Sequence, residues 1–217
     1  MALNINGTTG ISGVDGSVSA PALTGTDSNT GITFPAADTI KFATGGVERM
    51  SITNSGVSGI TAGITMVNQW RLTTSATITT SATYLTANFE QVDTDGYGNI
   101  GSNMTESGGI FTFPSTGVYL VRAIGQHVTS GGSVNWSQLE LHTTTNNSTY
   151  NLASVSYASI QTDGGYQSSI SEHVFDVTDV STHKVRFRTH SHNSNSVLEG
   201  NSGYTGTSFL FLRLGDT

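Results

Sequence analysis

The sequence predicts an all-β protein, most of it a sandwich or jelly roll of short strands. Three observations carry this. Val, Ile, Thr and Tyr, which suit a pleated half-buried surface, fill the patterned stretches, and no run shows the helical spacing of Ala, Glu, Lys and Leu that bundles and coiled coils need. Charged residues are 11% of the 217, against roughly 25% in ordinary soluble domains. Ser and Thr supply more than a quarter of the chain and 26 glycines punctuate it, the signature of short strands between tight turns. The β-branched and aromatic content argues against disorder, which goes with high net charge and few such residues.

The elements follow in order. Residues 1–31 are small and polar, with Gly at 7, 10, 13, 16 and 25 and no helical period; they read as an extended arm with turns. Residues 39–42 alternate weakly, 43–46 form a Gly-Gly corner and 47–53 alternate again, which is a hairpin signal. Residues 54–56 close that unit, and Gly59 and Gly63 follow. We therefore divide the chain into residues 1–65, an arm and hairpin stalk, and residues 66–217, a head. About 60 such residues hold too few large apolar side chains to make a core alone, so the stalk needs other copies or a host particle.

In the head, strands are expected at 69–75, 83–88, 109–113, 118–128, 134–142, 151–160, 165–175, 184–190 and 208–214, with turns at Asp95-Gly96, 107–109, 114–117, 130–132 and 163–165. In 118–124 one face takes Val118, Leu120, Arg122 and Ile124 and the other Tyr119, Val121 and Ala123. Residues 184–188 set Lys184, Arg186 and Arg188 against Val185 and Phe187; these cations are expected to pair with carboxylates of a neighbouring chain. Residues 209–214 are apolar on both faces until Arg213, as in a central or interface strand.

Composition excludes several functions. Net charge is −7 and Lys41 and Lys184 are the only lysines, so a nucleic-acid partner is not expected. Cys is absent, which removes any disulfide framework. No apolar run approaches 20 residues, so membrane insertion by a helix is not expected, and residues 1–10 lack the basic and apolar regions of a secretory signal. Lys and Pro, which blunt exposed strand edges, are scarce. Burial of the edges in an oligomer or closed barrel is the natural remedy.

The stretch GIFTFPSTGVYLVRA at 109–123 and the chain end TSFLFLRLGD at 207–216 resemble a strand pair and the last central strand of the C1q/TNF-like jelly rolls. The resemblance spans residues 70–216. It implies a ten-stranded sandwich packed as a compact homotrimer, with Tyr119, Phe209, Phe211 and Leu212 near the threefold axis. The arm, followed by IKFATGGVERMSI at 40–52, is similar to leader and stalk segments of fibre proteins of marine tailed phages, cyanophages among them. That resemblance implies a virion protein. Residues 1–60 would hold other virion proteins, with Leu3, Ile5, Ile11, Val14 and Leu23 as attachment contacts, and the head would project. A short tail fibre that meets host glycan and a capsid decoration protein whose arm grips capsid subunits both fit the length.

Chemistry is thin. His190 and His192 fall on one strand face, about 7 Å apart along it; three chains around an axis would bring six imidazole nitrogens to one metal. The competing reading is polar residues at a strand end. The run DTDGYGN at 93–99 resembles half a calcium loop but lacks the distal Glu, and reads as an Asp-Gly turn. No Gly-x-Ser-x-Gly elbow occurs, and Glu90, Glu106, Glu140, Glu172 and Glu199 are scattered; neither an enzyme nor a cofactor is expected. Trp70, Trp136, Tyr97, Tyr150, Tyr157, Tyr166 and Tyr204 are rings that could stack on sugars, with core packing as the competing role. Tyr166 and Tyr204, beside Gly-rich loops, are the candidate glycan contacts.

Overall fold

The computed structural model describes the backbone of residues 4–6 and 10–12, and residues 15–59 and 63–217 in full. The chain divides into two compact units, Met1–Ala62 and Gly63–Thr217. No helix occurs among the described residues.

In the first unit, β1 (Asn4–Asn6) pairs β2 (Gly10–Ser12), and β3 (Gly16–Ser17) pairs β4 (Ala20–Pro21). A five-stranded antiparallel meander follows: β5 (Leu23–Thr24), β6 (Gly31–Thr33), β7 (Ile40–Thr44), β8 (Val47–Thr53) and β9 (Gly56–Ser58). The Gly-Gly corner joins β7 to β8. Gly45 and Gly46 both hold positive φ, 60° and 73°, as a two-residue turn with the native strand twist requires. Cross-strand register puts Leu23, Ile32, Phe42 and Met50 in one row and Ile40, Ile52 and Val57 in the next, all on one face. None of these seven side chains is buried; Ala43 is the only buried apolar residue among the described residues of this unit.

The second unit is a sandwich of two antiparallel sheets. Its strands are β10 (Met66–Leu72), β11 (Thr74–Ile78), β12 (Thr83–Tyr84), β13 (Phe89–Gln91), β14 (Thr105–Ser107), β15 (Ile110–Thr112), β16 (Gly117–Thr129), β17 (Val134–Thr144), β18 (Asn151–Ile160), β19 (Tyr166–Val177), β20 (Lys184–Ser191), β21 (Ser196–Asn201) and β22 (Ser208–Gly215). The first sheet runs β11-β21-β16-β22-β10-β13, with β19 on the other edge of β16; the second runs β14-β15-β20-β17-β18, with β12 on β20. Thirteen strands stand where the resemblance implies ten, because β12, β13 and β14 are edge pieces of two or three residues. The run SVLEGN at 196–201 and the short β14 were not expected as strands. Residues 83–88 yield only a two-residue strand.

The core lies between the sheets. Tyr119, Val121, Ala123, Phe209 and Phe211 of the first sheet meet Leu139, Leu141, Val185, Phe187 and Phe111 of the second, all fully buried. Ring centroids of Phe111, Phe187, Phe209 and Phe211 stand 4.4–6.5 Å apart, within the range where tilted and edge-on aromatic pairs attract. The Asp-Gly segment is a turn with φ of 56° at Asp95 and 76° at Gly96. Asp93 there, with Glu90, pairs the fully buried Arg71 at 2.7 and 2.9 Å.

Candidate functional site

Two outward sheet faces of the head carry its functional potential. On the first sheet, a group of the residues opposite in parity to the core is apolar. Val67, Leu212, Leu120 and Val174 stand in register across β10, β22, β16 and β19. Beside them lie Leu210, Ile124 and Ile170, with the Arg122–Glu172 ion pair, 2.9 Å, set between. Ile170 and Val174 are each 55% exposed. Exposed apolar faces of this kind are ones that protein contacts, ligands or membranes cover.

This corrects the expected axial cluster. Of Tyr119, Phe209, Phe211 and Leu212, only Leu212 faces outward. The other three point between the sheets of their own chain with no exposed surface, and Tyr119 Oη is used up donating to the Ser115 carbonyl at 2.9 Å. The physical reason is parity: the odd positions of β16 and β22 are the ones that reach the Phe rings of β15 and β20.

The second sheet's outward face is polar and aromatic. Alternation along β17 turns Trp136, Gln138, Glu140 and His142 out, opposite the core residues Leu139 and Leu141. Pairing with β20 sets His190 beside Gln138, Arg188 beside Glu140 and Arg186 beside His142. Tyr84 of β12 lies across from Arg188. Glu140 is only 2% exposed. Its carboxylate accepts from Arg188 Nε and His142 Nε2, both at 2.6 Å, and from the Gln138 amide. Burial pushes the Glu140 carboxyl up, but these donors and the Arg188 charge outweigh it and hold the group below the usual carboxylate range. Burial lowers His142, against the pull of Glu140, so this imidazole is neutral near pH 7. Tyr84 Oη meets His142 Nδ1 at 3.3 Å. With Nε2–H donating to Glu140, Nδ1 is the acceptor from the tyrosine.

Arg186 is clamped between rings, its guanidinium carbon 3.3 Å from the Tyr84 centroid and 4.0 Å from that of Tyr150. Further along the same face, Trp136, Gln138, Tyr157 and His190 line an open hollow of about 580 Å³. Trp136 meets Tyr157 and His190 edge-on, at 6.5 and 5.0 Å between centroids. Open aromatic surface of this kind suits the stacked C–H face of a pyranose, while the Gln138 amide and His190 Nε2 beside it are already engaged by Glu140 and the Thr80 carbonyl.

The other expected site residues fall as follows. Tyr166 and Tyr204 are 62% and 49% exposed, and Tyr204 Oη donates to Glu199. His190 Nε2 donates to the Thr80 carbonyl at 3.0 Å. His192 lies beyond the end of β20. Among the described residues no group of three or more His, Asp or Glu side chains gathers to hold a metal. Of the cation stripe of β20, Arg188 pairs with Glu140 and Lys184 Nζ donates to the Val180 carbonyl at 2.6 Å, both within the chain, while Arg186 meets no carboxylate among the described residues. Leu23 is exposed, Ile5 and Ile11 are cross-strand partners, and Leu3 and Val14 lie outside the described residues.

Sequence reasoning did not single out the Gln138–Glu140–His142 row, nor Arg186 as a clamped cation. The first had a signal, three polar residues at one parity alternating with Leu139 and Leu141. The second had none, because its two tyrosines come from distant segments.

No known protein family and no curated protein matches the sequence. Among solved structures the chain is similar to murine APRIL, with a TM-score of 0.50 and 14% identity over 69% of this chain and 98% of that one. It is also similar to Eiger TNF from S. frugiperda (TM-score 0.49, 13% identity, 72% and 96% covered) and to the PRD1 vertex protein P5 (TM-score 0.44, 14%, 71% and 100%). The likeness to APRIL bears on the fold, and the jelly-roll sandwich expected from the sequence is the fold found.

Proposed function

We propose that this chain is a structural protein of a tailed-phage virion, a homotrimeric short fibre. Residues 1–65 mount it on the particle, and the head at 66–217 is presented for adhesion to host-surface glycan. One observation carries the reading. Each unit turns a largely apolar sheet face to solvent, and among the described residues of the N-terminal unit Ala43 is the only buried apolar side chain. Side chains such as Leu120 and Leu212, or Phe42 and Ile52, would gain about 1.5–3 kcal/mol for each one fully covered by a partner. The threefold order and the virion mount rest on the sequence resemblances. Adhesion rests on the aromatic hollow of Trp136 and Tyr157.

The experiment is the mass of the full chain in solution. Sedimentation equilibrium should give three chains. Leu212→Asp places like charges together at each contact, which costs several kcal/mol, and should give a monomer whose near-ultraviolet circular dichroism shows the head still folded. A monomeric parent protein at micromolar concentration, or an intact trimer in the variant, would sink the assignment.

A further inference from the structure

The outward face of β17 and β20 holds one feature that stacking on a neutral sugar does not require. Of the eight Lys and Arg residues, five pair with carboxylates: Lys41, Arg71, Arg122, Arg188 and Arg213. Arg49 Nε donates to Thr44 Oγ1 and Lys184 to a carbonyl. Arg186 alone, among the described residues, has neither a carboxylate nor any hydrogen-bond acceptor; its Nε and the neighbouring Tyr150 Oη are both buried without a partner. An unpaired cation is conspicuous in a chain of net charge −7. The one buried carboxylate on this face, Glu140, is engaged by Arg188 and His142 and makes no bond to Arg186.

Stacking between Tyr84 and Tyr150 fixes the guanidinium plane without consuming its N–H groups. A fork held in this way takes a carboxylate in two parallel bonds with little ordering cost. Along β20, Arg186 is four residues from His190, about 13 Å at the rise of an extended strand. The hollow and the clamped cation therefore lie within reach of one short oligosaccharide.

We infer that this face binds a carboxylate-bearing saccharide, with a pyranose ring against Trp136 and Tyr157 and an acidic group on the Arg186 fork. The inference rests on the adhesion reading and specifies its ligand. A saccharide carries the carboxylate because the apolar hollow lies beside the cation on the same strand pair; an acidic peptide is the competing outcome.

The test uses the full chain in a calorimetric or array measurement. The probes are uronate and sialate oligosaccharides, each beside its methyl ester, with a poly-glutamate peptide as a further probe. At least one acid should bind tenfold or more tighter than its ester, and salt should weaken the preference. Trp136→Ala should abolish binding of both forms. Arg186→Gln should erase the preference, leaving acid and ester to bind alike, and Arg186→Lys should restore only part of it. Thermal melts of the variants show that they are folded. Equal binding of acid and ester, or a preference that survives Arg186→Gln, overturns the inference and leaves adhesion standing. Binding of the peptide alone overturns the saccharide assignment. No binding of any saccharide by the parent protein overturns the adhesion reading and this inference with it.

Discussion

Truncating Phe211 to alanine is expected to destabilise the head by about 3–5 kcal/mol, the usual cost of removing a buried phenyl ring. The ring has no exposed surface. It sits 5.0 Å from Phe111, 6.3 Å from Phe113 and 6.5 Å from Phe187, centroid to centroid, so its loss leaves a cavity lined by rings that cannot all collapse inward. Urea denaturation should show the midpoint fall with the slope unchanged. Protein concentration must be held constant, because self-association adds to apparent stability by mass action. Leu210, one position earlier on β22, faces outward; its alanine variant should leave the isolated fold's stability within about 1 kcal/mol and weaken assembly instead. A loss below about 1 kcal/mol for Phe211→Ala would refute the core assignment. Phe211→Asp would unfold the head, whereas Leu212→Asp would separate folded chains.

Acid should weaken the fold through one buried histidine. His127, on the core face of β16, has no exposed surface. Its Nδ1 lies 2.9 Å from Ser137 Oγ and its Nε2 2.9 Å from Ser169 Oγ, while Ser196 Oγ donates to Ser137 Oγ at 2.8 Å. Every neighbour in this network is a neutral hydroxyl, and burial alone lowers the imidazole from 6.5 to about 4. The unfolded chain therefore binds a proton below pH 6.5 that the folded chain refuses until about pH 4, so stability rises with pH across that window. The contribution is complete above pH 6.5 and lost progressively as pH falls to about 4, amounting to about 3 kcal/mol. His127→Gln keeps a donor and an acceptor without a titrating group. The stability difference between parent and variant should shift against the parent by about 2–3 kcal/mol between pH 7.5 and pH 4.5. Other groups, including His142, cancel in that difference. Parallel pH profiles for the two proteins would show that His127 plays no such part.

Much of this architecture is legible in the residues. Alternation along 118–128 and 134–142, the Gly-Gly corner at 45–46 and the Asp-Gly turn at 95–96 each follow from short-range sterics, which act within a few residues and leave a local mark. The strand at 196–201 left only a faint one, because Val197 and Leu198 stand among Ser, Glu, Gly and Asn, and pairing with β11 and β16 makes the run extended. The hollow was half legible: its rings were among the candidate sugar contacts, but Tyr166 and Tyr204 stood out first because Gly-rich neighbours signal exposure and a mid-strand Trp136 does not.

Short-range pattern was enough to set the class of fold, the poverty of apolar residues in the first 60 positions and the distinct faces of strands such as β16. Which face turned inward on β22 came from packing between the sheets. On β22 both parities are apolar, so local pattern is degenerate, and the choice fell to the parity whose rings fill the space between the sheets. The same non-local step brought Tyr84 and Tyr150 onto either side of Arg186: close packing joins segments that no spacing rule connects.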